Sequence, residues 1–261
     1  MTEEEKDLIN NFKKIANKNW IKSISKSFGS IGLTFENELN KRPDALFFPD
    51  YKGIEIKCTS RFSRYPLYLF TVAFDGPNFP EIDRIVQKYG WYDKDYQNKK
   101  VIFTKLNYKK KNTVNEKYQF KLQFNETKEK LYLCVYDIKD DLIEKESFIY
   151  TMSIYNHLMI KLKKLAYIHA SKKKQDEELF FRYYQIELYK IKDFDTFLEL
   201  LENDIIDISL ISRISKSGED KGRYRNKNLV FNLKKKYIHM LFDRYYYYNS
   251  DLEENNNYIL Q

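Results

Sequence analysis

Four side chains in the first quarter of the sequence could do hydrolytic chemistry together: Glu36, Asp50, Glu55 and Lys57. Asp50 follows Pro49, and after four intervening residues come Glu55-Ile56-Lys57. Residues two apart in an extended strand share a face. Glu55 and Lys57 therefore project into the same space, and Asp50, at the end of the preceding turn, can swing toward them. Two converging carboxylates repel each other and stay ionised only if a cation joins them. Hard oxygen ligands favour Mg2+. Such an ion polarises a phosphodiester and acidifies a bound water, while an adjacent lysine can hold that water or offset the charge that builds on phosphorus. The same letters also describe a turn aspartate followed by a surface strand with a Glu/Lys pair, a common arrangement in a chain with 32% charged residues.

Upstream, Gly29-Ser30-Ile31-Gly32-Leu33-Thr34-Phe35-Glu36-Asn37-Glu38-Leu39 reads as a helix entered through two glycines. Glu36 falls about one turn inside and can point back as a third carboxylate. The competing reading is a plain helix-entry loop with Glu36 in solvent.

These residues need elements to hold them. Leu8, Ile9, Phe12, Ile15 and Ala16 recur at helical spacing, which predicts a helix over the first twenty residues. A second helix is expected from 31 to 38 or 39, ended by Arg42-Pro43. Strands are expected at 45–48 and 54–59, joined by a turn, then a strand at 67–73 and a helix at 80–89. A hairpin of 118–124 with 130–137 follows. Next come a helix at 153–163, strands at 165–169 and 180–191 across a polar turn at 172–178, a helix at 194–203, strands at 206–214 and 229–233, and a last helix at 235–242. Interspersed helices and hairpins predict an α+β fold with a mixed sheet. The run Tyr245 to Tyr248 and the asparagines at 255–257 read as a frayed, low-complexity tail.

Composition narrows the function classes. The 261 residues suit one large domain or two lobes. No apolar run approaches the roughly eighteen residues of a membrane span, and the acidic opening resembles no secretory signal. Cys58 and Cys134 make no CxxC pair, so a reducing cytoplasm is expected. His157, His169 and His239 lack zinc-ligand spacing. The formal charge is +8, and the segment from Arg213 to Arg244 carries ten basic residues against three acids. A localised basic segment attracts a polyanion, nucleic acid above all. Arginine pairs bidentately with guanine and asparagine with adenine in the major groove, chemistry that Arg223, Arg225, Asn226 and Asn228 can supply. Lys216, Lys221 and Lys227 suit phosphates, as do Arg61 and Arg64 just past the strand of Glu55, and Arg213 is a further DNA-binding candidate. A lysine-rich solvated surface would give the same charge count.

The glycine-opened helix with Glu36, followed after fourteen residues by Asp50-x4-Glu55-x-Lys57, resembles the MvaI/BcnI restriction endonucleases, relatives of MutH in the PD-(D/E)-x-K nuclease superfamily. The likeness extends, with gaps, over about residues 20–235. It includes Leu67–Thr71, similar to the family's next core strand, and Lys161-Leu162-Lys163-Lys164 ahead of an apolar strand. The resemblance implies a restriction-endonuclease-like mixed sheet flanked by helices, with a DNA-recognition lobe. It places the catalytic lobe at 1–110 and 147–190, the recognition lobe at 111–146 and 191–244, and a tail at 245–261. It implies a Mg2+-dependent type II enzyme that cuts double-stranded DNA, leaves 5′-phosphates, acts as a monomer and has a cognate methyltransferase in the same system. Glu36, Asp50, Glu55 and Lys57 would be the catalytic set, with the metal on Asp50, Glu55 and the Ile56 carbonyl. A MutH-like nickase and a non-catalytic DNA-binding protein are the alternatives. The family's histidine-rich recognition segment is replaced here by Lys221-Gly222-Arg223-Tyr224-Arg225-Asn226-Lys227-Asn228, so the target bases differ or are read differently.

Overall fold

A computed structural model describes residues 1–27, 29–41 and 48–251. In chain order the elements are α1 (Glu3–Asn17), β1 (Ile21–Lys22), α2 (Ser30–Glu38), β2 (Glu55–Ser60), β3 (Leu67–Val72), α3 (Glu81–Tyr89), β4 (Trp91–Tyr92) and β5 (Lys100–Leu106). They continue with β6 (Asn112–Val114), β7 (Tyr118–Phe124), β8 (Lys130–Asp137), β9 (Leu142–Glu144), β10 (Phe148–Tyr150) and α4 (Thr151–Lys161). The chain ends with β11 (Lys164–Gln175), β12 (Glu178–Ile191), α5 (Phe194–Glu202), β13 (Ile206–Ile214), β14 (Tyr224–Leu233), α6 (Ile238–Leu241) and β15 (Phe242–Asn249). This is the expected α+β class. No helix among the described residues is long and apolar enough to cross a membrane.

The chain divides into two compact units. The first comprises Met1–Tyr65, Met159–Lys192 and Phe242–Gln261. Its sheet runs β1-β12-β11-β2, with β15 also on β12. β2 and β11 are parallel, aligning Glu55 with Leu165 and Lys57 with Tyr167. One face of this sheet is buried under α1 and α2. Leu8, Ile9, Phe12 and Ile15 of α1 meet Phe35 of α2, together with Ile54, Ile56, Ala166, Ile168 and Ala170. Strand alternation therefore sends Glu55, Lys57 and Thr59 to the opposite face. In β12 the core residues change from Phe181 and Tyr183 to Ile186 and Leu188, because a bulge opposite His169/Ala170 inserts one residue.

The second unit comprises Pro66–Leu158 and Asp193–Leu241. It holds a sheet of order β3-β14-β13-β5-β4 and another of order β10-β8-β7-β6 with β9 on β8. Phe70 and Phe231 stack in its core with ring centroids 4.7 Å apart.

Several expectations are corrected. The strand expected at 67–73 is present as Leu67–Val72 and pairs with β14 in the second unit. Its apolar residues have a matching apolar partner in Leu229–Leu233. The polar turn expected at 172–178 shrinks to Asp176-Glu177, both at positive φ, so Lys172 to Gln175 continue β11. Lys173 is held there by its ammonium, 4.7 Å from the Trp20 ring centre. The basic stretch from Tyr224 to Asn228, expected in a loop, is the first half of β14, with Arg225 opposite Arg213. The last helix is shorter than expected, a 3-10 turn at Lys235–Tyr237 followed by α6. The expected strand 45–48, Phe48 apart, and the Arg42-Pro43 helix stop lie outside the described residues.

The tyrosine run is not a frayed tail. It forms β15, antiparallel to β12 over Phe242 to Asn249. Tyr248 meets Phe12 edge-on at 6.0 Å, and Tyr246 and Tyr248 pack against the α1–sheet core. Tyr245 donates to the Glu5 carboxylate at 3.0 Å. Glu5 is 3% exposed. It also closes the capping box of α1 through the Thr2 N–H (2.8 Å) and pairs with Lys164 of β11 at 2.6 Å. Burial works against its charge, but the Lys164, Thr2 and Tyr245 bonds overcome it and hold the carboxyl below its usual range. That stability is present above the ordinary carboxylate pKa and is lost as pH falls through the lowered one. Glu5→Ala is therefore expected to destabilise the protein by about 1–3 kcal/mol at pH 7 and by less at pH 3, as measured by urea denaturation at both pH values.

Candidate active site

The site begins with a turn. Lys52 and Gly53 both take positive φ, 47° and 85°, and Tyr51 and Ile54 exchange backbone hydrogen bonds of 2.9 and 2.8 Å. Two consecutive residues at positive φ make the tight turn whose twist suits antiparallel arms, and glycine meets the second position without strain. The residues flanking this pair are Asp50 and Glu55, so the turn sets the two carboxylates side by side. The Ile56 N–H donates to Asp50 Oδ2 at 3.0 Å and fixes the aspartate against β2. Tyr51 anchors the turn to α1 by donating to Asp7 at 2.8 Å.

Glu55 is 1% exposed. Its Oε1 accepts from Lys57 Nζ at 2.6 Å and lies 3.7 Å from Lys161 Nζ. Its Oε2 is buried with no hydrogen-bond partner. Burial, reinforced by the Asp50 charge, pushes the Glu55 carboxyl above its ordinary range, against the pull of Lys57 and Lys161. A buried anionic oxygen without a donor is costly, and a metal cation is one way to satisfy it.

Glu36, from α2, faces the same region: its Oε2 is 3.8 Å from Lys41 Nζ, which is 3.1 Å from Asp50 Oδ1. Cys58 is nearby on β2. Burial, with the Glu36 and Asp50 charges, raises its thiol far above the usual range, so it stays protonated and unreactive. The four expected catalytic residues thus gather in the first unit. Sequence reasoning missed Lys41 and Lys161 as members. Lys161 ends α4 just before β11, whose parallel register with β2 brings it to Glu55.

The donor set suits a hard divalent cation: Asp50 and Glu55 offer carboxylate oxygens, and Glu55 Oε2 lacks a partner. No cluster of three or more His, Cys, Asp or Glu residues poised for a metal occurs among the described residues.

The expected DNA contacts fall in both units. Arg61 and Arg64 are exposed after β2. In the second unit Arg213 lies 4.2 Å over the Phe103 ring. Lys216 pairs with Asp93 and, at 2.9 Å, with Asp95. Lys227 pairs with Asp83 at 2.7 Å and Arg223 with Asp220 at 3.1 Å. Lys221, Arg225 and Asn226 are exposed and Asn228 is half-buried. Acids thus already claim three of the cations on this strip.

Comparison with known proteins sets these features in a family. A family model described as the MvaI/BcnI restriction endonuclease family matches residues 9–242. The chain belongs to the MvaI/BcnI restriction endonuclease family. It is accordingly a type II, site-specific endonuclease, of a family that generally uses a divalent metal. Among solved structures it is similar to restriction endonuclease MvaI in complex with its cognate DNA substrate, with 24% identity over 94% of this chain and 98% of that one and a TM-score of 0.87. MvaI without DNA is similar at 21% identity over the same shares, with a TM-score of 0.57. No curated protein sequence matches the chain.

Because the Glu55 carboxyl is raised, its charge weighs against the folded state. That penalty is absent at low pH, grows as pH rises past the ordinary carboxylate value and is complete above the raised one. Glu55→Gln is therefore expected to raise the melting temperature at pH 8 by a few degrees, about 1 kcal/mol, with the gain vanishing near pH 4. A lower melting temperature at pH 8 would count against the buried-charge account.

Proposed function

We propose that this chain cuts double-stranded DNA at a short specific site, with Mg2+ held by Asp50, Glu55 and the Ile56 carbonyl and with Lys57 beside it, leaving 5′-phosphates. The observation that carries the reading is the pairing of Asp50 with Glu55 across a two-residue turn, with Glu55 Oε2 buried and unpartnered. Ile56 directs its N–H to Asp50. A strand residue's N–H and C=O point to the same side, so its carbonyl faces that side too. MvaI, similar in fold, is named as a complex with cognate DNA.

Bound there, Mg2+ would polarise the scissile phosphate and acidify a water. The protein's own groups do the rest. Asp50 and Glu55 must be anionic to hold the ion. Lys57, fixed by its bond to Glu55, orients the water in line with phosphorus and offsets the negative charge that develops on the phosphoryl oxygens. The water oxygen bonds to phosphorus and gives up its proton to solvent. The bond from phosphorus to O3′ breaks, and O3′ takes a proton to become the 3′-hydroxyl. Lys161 adds a second positive charge near Glu55. Arg61 and Arg64 are assigned to phosphates near the cut. Lys216, Lys221 and Lys227 are assigned to phosphates, Arg213 to a further DNA contact, and Arg223, Arg225, Asn226 and Asn228 to base edges.

Incubating a plasmid with the protein and Mg2+ should give discrete linear fragments with ligatable 5′-phosphates. Open circles alone would indicate nicking instead. Asp50→Asn and Lys57→Ala should each abolish cutting while binding to a cleaved-site duplex persists; wild-type cutting by either would remove that residue from the site. Arg225→Ala should reduce discrimination between cognate and scrambled duplexes by about 1–3 kcal/mol in competition binding.

A further inference from the structure

We infer that Lys41 is a positioning residue of the metal site, a tethered cation that holds Glu36 and Asp50 in place before the divalent ion binds and competes with that ion for them. This inference rests on the metal-site reading above. Its first support is backbone architecture. α2 ends at Glu38 with Leu39 as its C-cap, Asn40 takes a left-handed φ of 55°, and the Lys41 N–H returns to the Glu36 carbonyl at 2.9 Å while the Asn40 N–H bonds Asn37 at 2.9 Å. These two bonds form the Schellman pattern, which turns the chain back over the last helical turn. Lys41 is thus placed over Glu36 by the helix cap itself.

The second support is what the ammonium touches. Asp50 commits Oδ2 to the Ile56 N–H, and its other oxygen, Oδ1, accepts from Lys41 at 3.1 Å. Glu36 Oε2 lies 3.8 Å from the same nitrogen. The Lys41, Glu36 and Asp50 side chains are only 16–18% exposed, so water screens these charges weakly. Two carboxylates from two stretches of chain, Glu36 and Asp50, meet this ammonium, and the lysine offsets part of their repulsion. The Asp50 oxygen available to a metal is the one the lysine holds. An ammonium and a divalent ion at that oxygen repel each other, so metal entry requires Lys41 to withdraw. The lysine therefore keeps the acids gathered in the metal-free protein and weakens the grip on the metal.

The test is thermal denaturation without DNA, titrated with Mg2+, on the wild type, Lys41→Met, Lys41→Arg and Asp50→Asn. Lys41→Met should melt below the wild type without metal, yet reach half of its metal-induced gain at about tenfold lower Mg2+. Lys41→Arg should follow the wild type. A purely structural lysine would lower the melting temperature without moving the Mg2+ midpoint, and an unchanged or higher midpoint in Lys41→Met overturns the inference. Asp50→Asn should remove the metal-induced gain. If the wild type shows no gain that depends on Asp50, the metal-site reading fails, and the role of Lys41 fails with it.

Discussion

A carboxylate removed from water governs the first unit. Glu55 is held on β2 with one oxygen bonded to Lys57 and the other without a partner, at a depth where an unsatisfied anion is expensive. The parallel pairing of β2 with β11, the apolar helices on the far face and the lysines at the near face all keep that oxygen dry and aimed. A sequence selected for stability alone would carry glutamine or leucine at this position. Keeping the charge at a cost to the fold is what the proposed metal site would require.

The turn at Lys52-Gly53 determines which acid meets Glu55. Periodicity was enough to see that Glu55 and Lys57 share a face, because strand alternation is geometry rather than tertiary context. It was also enough to place Asp50 beside a turn. Lys41 and Lys161 were beyond its reach for different reasons. Lys41 reaches Asp50 through a helix cap that uses a left-handed asparagine, and no spacing rule carries that information. Lys161 reaches Glu55 through the alignment of two strands a hundred residues apart, which hydrophobic pattern does not specify.

Elsewhere, what could be read depended on local signals. The β7–β8 hairpin and α5 follow from alternation and helical spacing within their own segments. The strand character of Arg225 to Asn228 was hidden, since hydrogen bonding to β13 holds backbone whose side chains are polar and exposed. The tyrosines from Tyr245 to Tyr248 looked like compositional drift. They prove amphipathic in use, with Tyr246 and Tyr248 in the core and Tyr245 on Glu5. Composition describes how often a residue occurs, and only a partner strand decides what it does.

The discontinuity of the first unit has a consequence for biosynthesis. Its sheet needs β15, whereas the second unit is complete at Leu241. A ribosome therefore delivers every residue of the second unit before it delivers the strand that covers Gln185 to Ile191. Because domains fold as their residues emerge, the first unit is the later of the two to be completed.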